Sequence, residues 1–257
     1  MIDVTIVATA IKVEFWKEYY LNLTKNNASF HLVFTGPKEP NFRLPSNFTF
    51  LLSDEKPTAC VQKSYNYVYK NLETKYIMHT ADDFLFQENY LDRLIEGYKK
   101  NSKLYPDRPV MVTQMSIGPG GSWDRMGLAD GEPALGIGPL TTIKNDKLVG
   151  KIDGRFNSVC WDMDRLYRFY SLGGIMIILT EDECPPVKER GGKNVNYAWS
   201  QHHQNDLKVL NQLWQKSEPK GDIFLNYWNG LNSFERGSFK YSRIEDTISS
   251  FTQEKEK

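Results

Sequence analysis

The chain predicts an α/β fold, a single domain built on a mostly parallel sheet flanked by helices. Two observations carry this. Short apolar runs alternate with helical segments over the first 115 residues, the pattern of βαβ units. One of these runs, Tyr76-Ile77-Met78-His79-Thr80, ends near two adjacent acids, Asp82 and Asp83, and open α/β sheets bind ligands at the carboxyl ends of their strands. A length of 257 residues suits one large domain or two small ones. With no internal repeat and no low-complexity linker, one domain is the reading.

In chain order, Val4–Ala8 reads as a buried strand. Glu14–Leu23 reads as a helix with Phe15, Trp16, Tyr19 and Leu23 on one face. Phe30–Phe34 is a second strand, stopped by Gly36-Pro37, and Phe48–Leu52 a third. Pro57 takes a helix-start position, and Cys60, Val61, Tyr65, Val68 and Leu72 follow at helical spacing over Thr58–Leu72. The strand before Asp82-Asp83 leads to a helix over Tyr90–Lys100. Ser116–Gly154 is rich in glycine (Gly118, Gly120, Gly121, Gly127, Gly131, Gly136, Gly138) and reads as loop, a length of loop that tends to be functional. Asp162–Leu172 then reads as helix, Ile175–Leu179 as strand and Val195–Trp214 as a last helix.

Composition narrows the function. Thirty-two basic and 32 acidic residues cancel, which removes the electrostatic case for non-specific nucleic-acid binding. Cys60, Cys160 and Cys184 are odd in number and widely spaced, unlike a disulfide framework or a cysteine-rich zinc site. A reduced, cytoplasmic setting fits them. Met1-Ile2-Asp3-Val4 has no signal-peptide pattern, and no apolar stretch of about 20 residues spans a membrane. The sequons at Asn22, Asn27 and Asn47 are then accidental, and the charged tail Gln253–Lys257 frays.

Adjacent acids after a strand suit hard oxygen ligation of Mg²⁺ or Mn²⁺ beside a phosphate-bearing substrate. A solvated turn or a helix cap would also explain them. No P-loop is present, and Thr9-Ala10-Ile11-Lys12 lacks the glycine-rich turn of a dinucleotide fold. Gly118-Pro119-Gly120-Gly121 fails as G-x-G-x-x-G because Trp123 stands at the third glycine. A second constellation runs Gly154-Arg155-Phe156-Asn157, Trp161-Asp162-Met163-Asp164-Arg165-Leu166-Tyr167-Arg168, then Gly173. Asp162 and Asp164 fall in a first helical turn, where the dipole favours anions. Asp164 and Arg168, four apart, can pair on the helix surface.

Taken together, the two constellations resemble the inverting nucleotide-sugar glycosyltransferases of the GT-A fold, family 2 in particular. Thr80-Ala81-Asp82-Asp83-Phe84 is similar to the T-D-D variant of that family's D-x-D-type motif. The loop and helix are similar to its E-D-x-D-L-x-x-R-x-x-x-x-G, with Asp162 at the central aspartate, then Asp164, Arg168 and Gly173, all at the family spacing. The likeness covers residues 2 to 180. It implies a GT-A-type domain over 1–215, with a nucleotide-binding half (1–115), an acceptor half (116–215) and a C-terminal helical extension, 216–257 packing on the same domain. Trp161 departs from the family's first glutamate and Arg165 from its leucine. Thr35-Gly36-Pro37 stands where an aspartate often holds the base; Asp54 is a possible substitute.

The resemblance further implies transfer of a sugar from a nucleotide-sugar, a UDP-sugar first among them, to a hydroxyl on a glycan, lipid-linked or protein acceptor. Mn²⁺ or Mg²⁺ on Asp83, with Asp82 supporting the ion or the ribose, would stabilise the leaving diphosphate. Thr9 and Ala10 would join Asp54 and Asp82 around the nucleotide. Asp162 would be the general base, its position at the helix start tending to lower its pKa. The glycine-rich middle would be a lid over the nucleotide. Trp123 and Trp161 are candidates near the acceptor; His202 and His203 could touch metal or diphosphate, although a polar helical face explains them. The rival readings are an inactive nucleotide-sugar-binding module and a metal-dependent nucleotidyltransferase or phosphohydrolase.

Overall fold

The computed structural model describes residues 1–114, 116–117, 137–190, 195–216, 233–234 and 241–243. The first half alternates as expected: β1 (Ile2–Thr9), α1 (Val13–Leu23), β2 (Phe30–Gly36), β3 (Phe48–Leu52), α2 (Pro57–Asn71), β4 (Thr74–His79), β5 (Phe84–Leu85), α3 (Tyr90–Leu104) and β6 (Val110–Gln114). After β7 (Ser116–Ile117) come β8 (Ile137–Thr142), α4 (Ile143–Val149), α5 (Trp161–Ser171), β9 (Ile175–Leu179) and β10 (Val187–Glu189). The described remainder is α6 (Val195–Leu213), β11 (Trp214–Lys216), β12 (Ser233–Phe234) and β13 (Tyr241–Arg243).

Eight strands form the main sheet in the order β12-β9-β6-β8-β4-β1-β2-β3. From β4 through β1 and β2 to β3 every pairing is parallel. Side chains alternate between faces of a strand, and β1 divides accordingly. Val4, Ile6 and Ala8 pack with Trp16, Tyr19 and Leu23 of α1 and with Leu91 and Leu94 of α3. Val7, with Val33 and Ile77, faces Val61, Tyr65 and Val68 of α2, Trp161 and Tyr167 of α5, and Leu210 and Leu213 of α6. The result is three layers with the sheet buried on both faces, which is why its strands read as unbroken apolar runs.

The middle of the chain corrects the sequence reading. The stretch 116–154, expected to be loop, contains β8 and α4, and β8 is a central strand antiparallel to both β4 and β6. Gly138 and Pro139 conceal it. They sit at a bulge, where the register with β6 slips between Gln114↔Ile137 and Val112↔Leu140. A bulge tolerates a proline, and Gly138 there has φ +65°, a conformation that favours glycine. Gly118, Gly120, Gly121, Gly127, Gly131, Gly136 and Trp123, and with them the proposed lid, lie outside the described residues, as does the tail 253–257. Within 216–257, β12 extends the sheet antiparallel to β9, and β13 pairs with β11. No described helix is long and apolar enough to cross a membrane. The three cysteines are buried and free.

Candidate active site

The carboxyl ends of β1, β2, β3 and β4 point to one edge of the sheet because these strands are parallel. Thr9 and Ala10 end β1, with Thr9 Oγ1 donating to the Pro57 carbonyl at 3.4 Å and Ala10 N to the Thr35 carbonyl at 3.0 Å. Asp54 lies beyond β3 at the same edge and is exposed. Gly36 ends β2 hard against the Ala10 backbone, where a Cβ would meet the Ala10 carbonyl oxygen at 1.8 Å. That contact gives a packing reason for glycine in the stretch where the family often carries its base-holding aspartate.

Asp82 is buried, and its Oδ2 accepts three N–H groups: Ile11 N at 2.7 Å, Lys12 N at 2.6 Å and Trp16 Nε1 at 2.8 Å. One carboxylate oxygen thus fastens the β1–α1 turn to the end of β4. Burial pushes the Asp82 carboxyl above the usual carboxylate range, while these donors pull it back. Asp83, also buried, forms an ion pair through Oδ2 with Lys12 Nζ. Its carbonyl accepts from Arg190 N at 3.1 Å, and the Arg190 side chain turns away to Glu18 and the Phe15 ring.

Fit to a divalent cation can be tested on these contacts. A hard cation seeks several free carboxylate or carbonyl oxygens. Here one oxygen of Asp82 is taken by three donors, and one of Asp83 by an ammonium. Among the described residues no group of three His, Cys, Asp or Glu could hold a metal ion. From the described residues a divalent cation at the pair would draw at most two carboxylates, leaving the rest of its shell to phosphate oxygens and water.

The start of α5 packs against the end of β4 through Trp161 and His79. His79 closes β4, and its ring meets Trp161 edge-on at 4.6 Å between centroids. Burial drives the His79 pKa down to about 3, so this imidazole is neutral at physiological pH. Trp161, at the position of the family's first glutamate, is a buried wall of the site. Asp162 follows it at the start of α5, partly accessible. Burial raises its pKa, outweighing the bond from Met163 N at 3.0 Å. This corrects the expectation from helix position alone: desolvation, more than the dipole, sets the direction. A raised pKa makes Asp162 a stronger base.

Asp164 and Arg168 also depart from expectation. They pair at 2.8 Å, but both are fully buried and neither is on the surface. Asp164 Oδ1 accepts from Trp214 Nε1 at 2.9 Å, and Arg168 Nη1 donates to the Val149 carbonyl. Arg165, at the family's leucine position, is likewise buried. It pairs with Asp146 at 2.5 Å, donates to the Gly150 carbonyl at 2.6 Å and stacks over Tyr65. Its partner Asp146 is what permits a cation at an apolar position.

The loop before α5 is held by residues that sequence reasoning missed. Asp206 of α6, fully buried, accepts from Asn157 N at 2.9 Å and Asn157 Nδ2 at 3.1 Å through Oδ1, and from Ser158 N and Val159 N at 2.8 and 2.9 Å through Oδ2. Lys56 Nζ donates to the Gly154 carbonyl at 2.5 Å and Thr58 Oγ1 to the Phe156 carbonyl at 2.9 Å. His202 is partly exposed on α6; the side chain of His203 lies outside the described residues.

Fold and sheet order together are those of a GT-A-like Rossmann fold. A solved structure of S. aureus TarS shares it at TM-score 0.54 and 9% identity, over 82% of this chain and 40% of that one. A second structure, of TarS residues 1–349, aligns at TM-score 0.49 and 9% identity over 79% of this chain and 65% of that one. The chain thus spans about two-fifths of the length of the first TarS structure. No family model and no curated protein matches the sequence.

Proposed function

We propose that this chain transfers a sugar from a nucleotide-sugar donor to an acceptor hydroxyl, with inversion at the anomeric carbon. One observation carries the reading. The end of β4, with Asp82 and Asp83 just beyond it, and the start of α5, with Asp162, stand against each other through the contact of His79 with Trp161. A direct displacement needs this division: one side receives the leaving diphosphate and the other deprotonates the acceptor. The GT-A-like fold shared with TarS supports it.

On the donor side, the β1–α1 turn anchored by Asp82 offers Thr9 to the nucleotide, with Ala10 fully buried behind it, and Asp54 lies at the same edge for the base or ribose. On the acceptor side, Asp162 accepts the hydroxyl proton as the new C–O bond forms. Such assistance is typically worth about 10²–10⁴ in rate. Its pKa, raised by burial, brings it closer to the operating pH that general-base catalysis favours.

The test is donor consumption. Purified protein incubated with UDP-, GDP-, dTDP- and CMP-linked sugars and a mixed acceptor panel should release nucleotide from one donor class, a UDP-sugar first, with acceptor-dependent product. Binding of a donor without turnover under any acceptor would establish a nucleotide-sugar-binding module instead. Release of pyrophosphate from a nucleoside triphosphate would point to nucleotidyl transfer.

A further inference from the structure

We infer that Lys12 supplies the positive charge for the leaving diphosphate, in the place where the family resemblance puts a divalent ion on Asp83. This rests on the nucleotide-sugar reading above, but its basis is separate. The ammonium of Lys12 is already paired with Asp83, the aspartate expected to ligate the metal. Both side chains are largely sequestered, with 14% of the Lys12 side chain and 3% of the Asp83 side chain exposed. Lys12 is not a mobile surface lysine that happens to fall on an acid. It sits at the junction of β1 and α1, and its own backbone N–H is gripped by Asp82 Oδ2 at 2.6 Å. The same oxygen also receives Ile11 N and Trp16 Nε1, so the turn that carries the ammonium is fixed at three points.

The two aspartates therefore have different tasks. Asp82 positions the turn, and Asp83 orients the Lys12 ammonium. The nearby guanidinium of Arg190 is engaged by Glu18 and Phe15, so among the described residues Lys12 is the cation paired with Asp83. An ammonium has three donor hydrogens and no acceptor. It can keep one hydrogen bond to Asp83 while turning others to a phosphate oxygen. In the transfer step the bond between the anomeric carbon and the diphosphate oxygen breaks, with its electron pair leaving on that oxygen. The acceptor oxygen bonds the anomeric carbon and its proton passes to Asp162. Lys12 keeps its proton throughout and offsets the charge that develops on the diphosphate, the role a metal ion plays elsewhere.

The experiment has two independent arms on the full chain. In the first, UDP, GDP and dTDP are titrated by calorimetry in EDTA and in Mn²⁺. Wild-type affinity for the nucleotide that binds should agree within about twofold between the two conditions. Lys12→Ala should lose about tenfold or more in EDTA, because a hydrogen bond to a charged group is removed, and should recover part of that with Mn²⁺. Lys12→Arg, which keeps the charge, should retain most of the wild-type affinity in EDTA. A wild-type affinity that rises about tenfold or more with Mn²⁺, with Lys12→Ala unaltered in EDTA, would overturn the inference.

The second arm needs no nucleotide. Free Mn²⁺ is followed by its paramagnetic resonance signal as each protein is added. Wild type should take up none, and Lys12→Ala should bind an ion that is lost again in Lys12→Ala/Asp83→Asn. Uptake by wild type that Asp83→Asn abolishes would assign Asp83 to a metal and sink the role of Lys12. Were no nucleotide to bind in the first arm, the nucleotide-sugar reading would fall, while the Mn²⁺ arm would still decide what Lys12 does to Asp83. Circular dichroism and melting curves identify any variant that fails to fold; for such a variant Lys12→Met takes the place of Lys12→Ala.

Discussion

On the proposed donor side of the site a carboxylate at a strand end secures the turn at the sheet edge beside it: Asp82 binds the two backbone N–H groups of residues 11 and 12 and the Trp16 indole. On the acceptor side the loop that delivers Asp162 is secured from other layers. Asp206 reaches it from α6, 49 residues further along, and Lys56 and Thr58 reach it from the start of α2. A turn between two packed elements needs one clamp. A connection of eleven residues between α4 and α5, 150–160, needs several, since each backbone group left without a partner as the loop is buried is costly. The proposed donor edge is thus a property of the sheet, whereas the proposed acceptor edge depends on α6 being docked.

This contrast can be broken at α5 first. Arg168→Met leaves the Asp164 carboxylate buried without its cation, and such a change is expected to cost about 3–5 kcal/mol. Chemical denaturation would measure it. A loss well under 1 kcal/mol would mean that Trp214 and the surrounding groups satisfy Asp164 alone. Asp206→Ala is the more specific probe. It should cost at least roughly 1.5–3 kcal/mol, the worth of one hydrogen bond to a charged group, since four such bonds are lost. It should also lower transfer with nucleotide affinity intact, because only the acceptor loop is released. An equal fall in both would show that the two edges are coupled.

A smaller effect follows from the pKa of Asp162. Its folded value lies above the ordinary 3.8, so the folded state binds the proton more tightly than the unfolded chain does. The stability contribution of such a group is full below the unfolded pKa and is lost as pH rises through the folded one. At neutral pH the ionised carboxylate is a burden on the fold. Asp162→Asn should melt slightly above wild type at pH 7, and the difference should vanish at pH below the ordinary carboxylate range. A variant that melts lower at pH 7 would show that the carboxylate stabilises the fold. By the same sign, wild-type kcat/KM should fall as pH drops through the folded pKa, with the acid limb displaced upward from that of an exposed aspartate.

Legibility in the sequence follows the same division. β1 to β4 and their helices were readable because buried parallel strands are continuous apolar runs and α1 and α2 show one apolar face each. The acids at 82, 83 and 162 were readable as a pattern, although not in their hydrogen-bond partners. β8 was hidden because Gly138-Pro139 are ordinarily strand breakers, and only the bulge against β6 shows why they are admitted. The Asp164–Arg168 pair was legible as a spacing, but its burial depends on Trp214 and on the docking of α6, which no local pattern reports. Asp206 had no signal at all: one aspartate on an amphipathic helix looks like any solvated residue. Lys12 had a faint one, a single basic residue in the turn after an apolar strand, and its pairing appears only once Asp83 is brought beside it.

The most direct measurement sets transfer against nucleotide binding in Asp162→Asn. Nucleotide affinity should match wild type, because the donor edge is built from β1, α1 and the end of β4, while single-turnover transfer should fall by about 10²–10⁴. Transfer retained at the wild-type rate would remove Asp162 as the base, and a loss of nucleotide affinity as large as the loss of transfer would contradict the separation of the two edges.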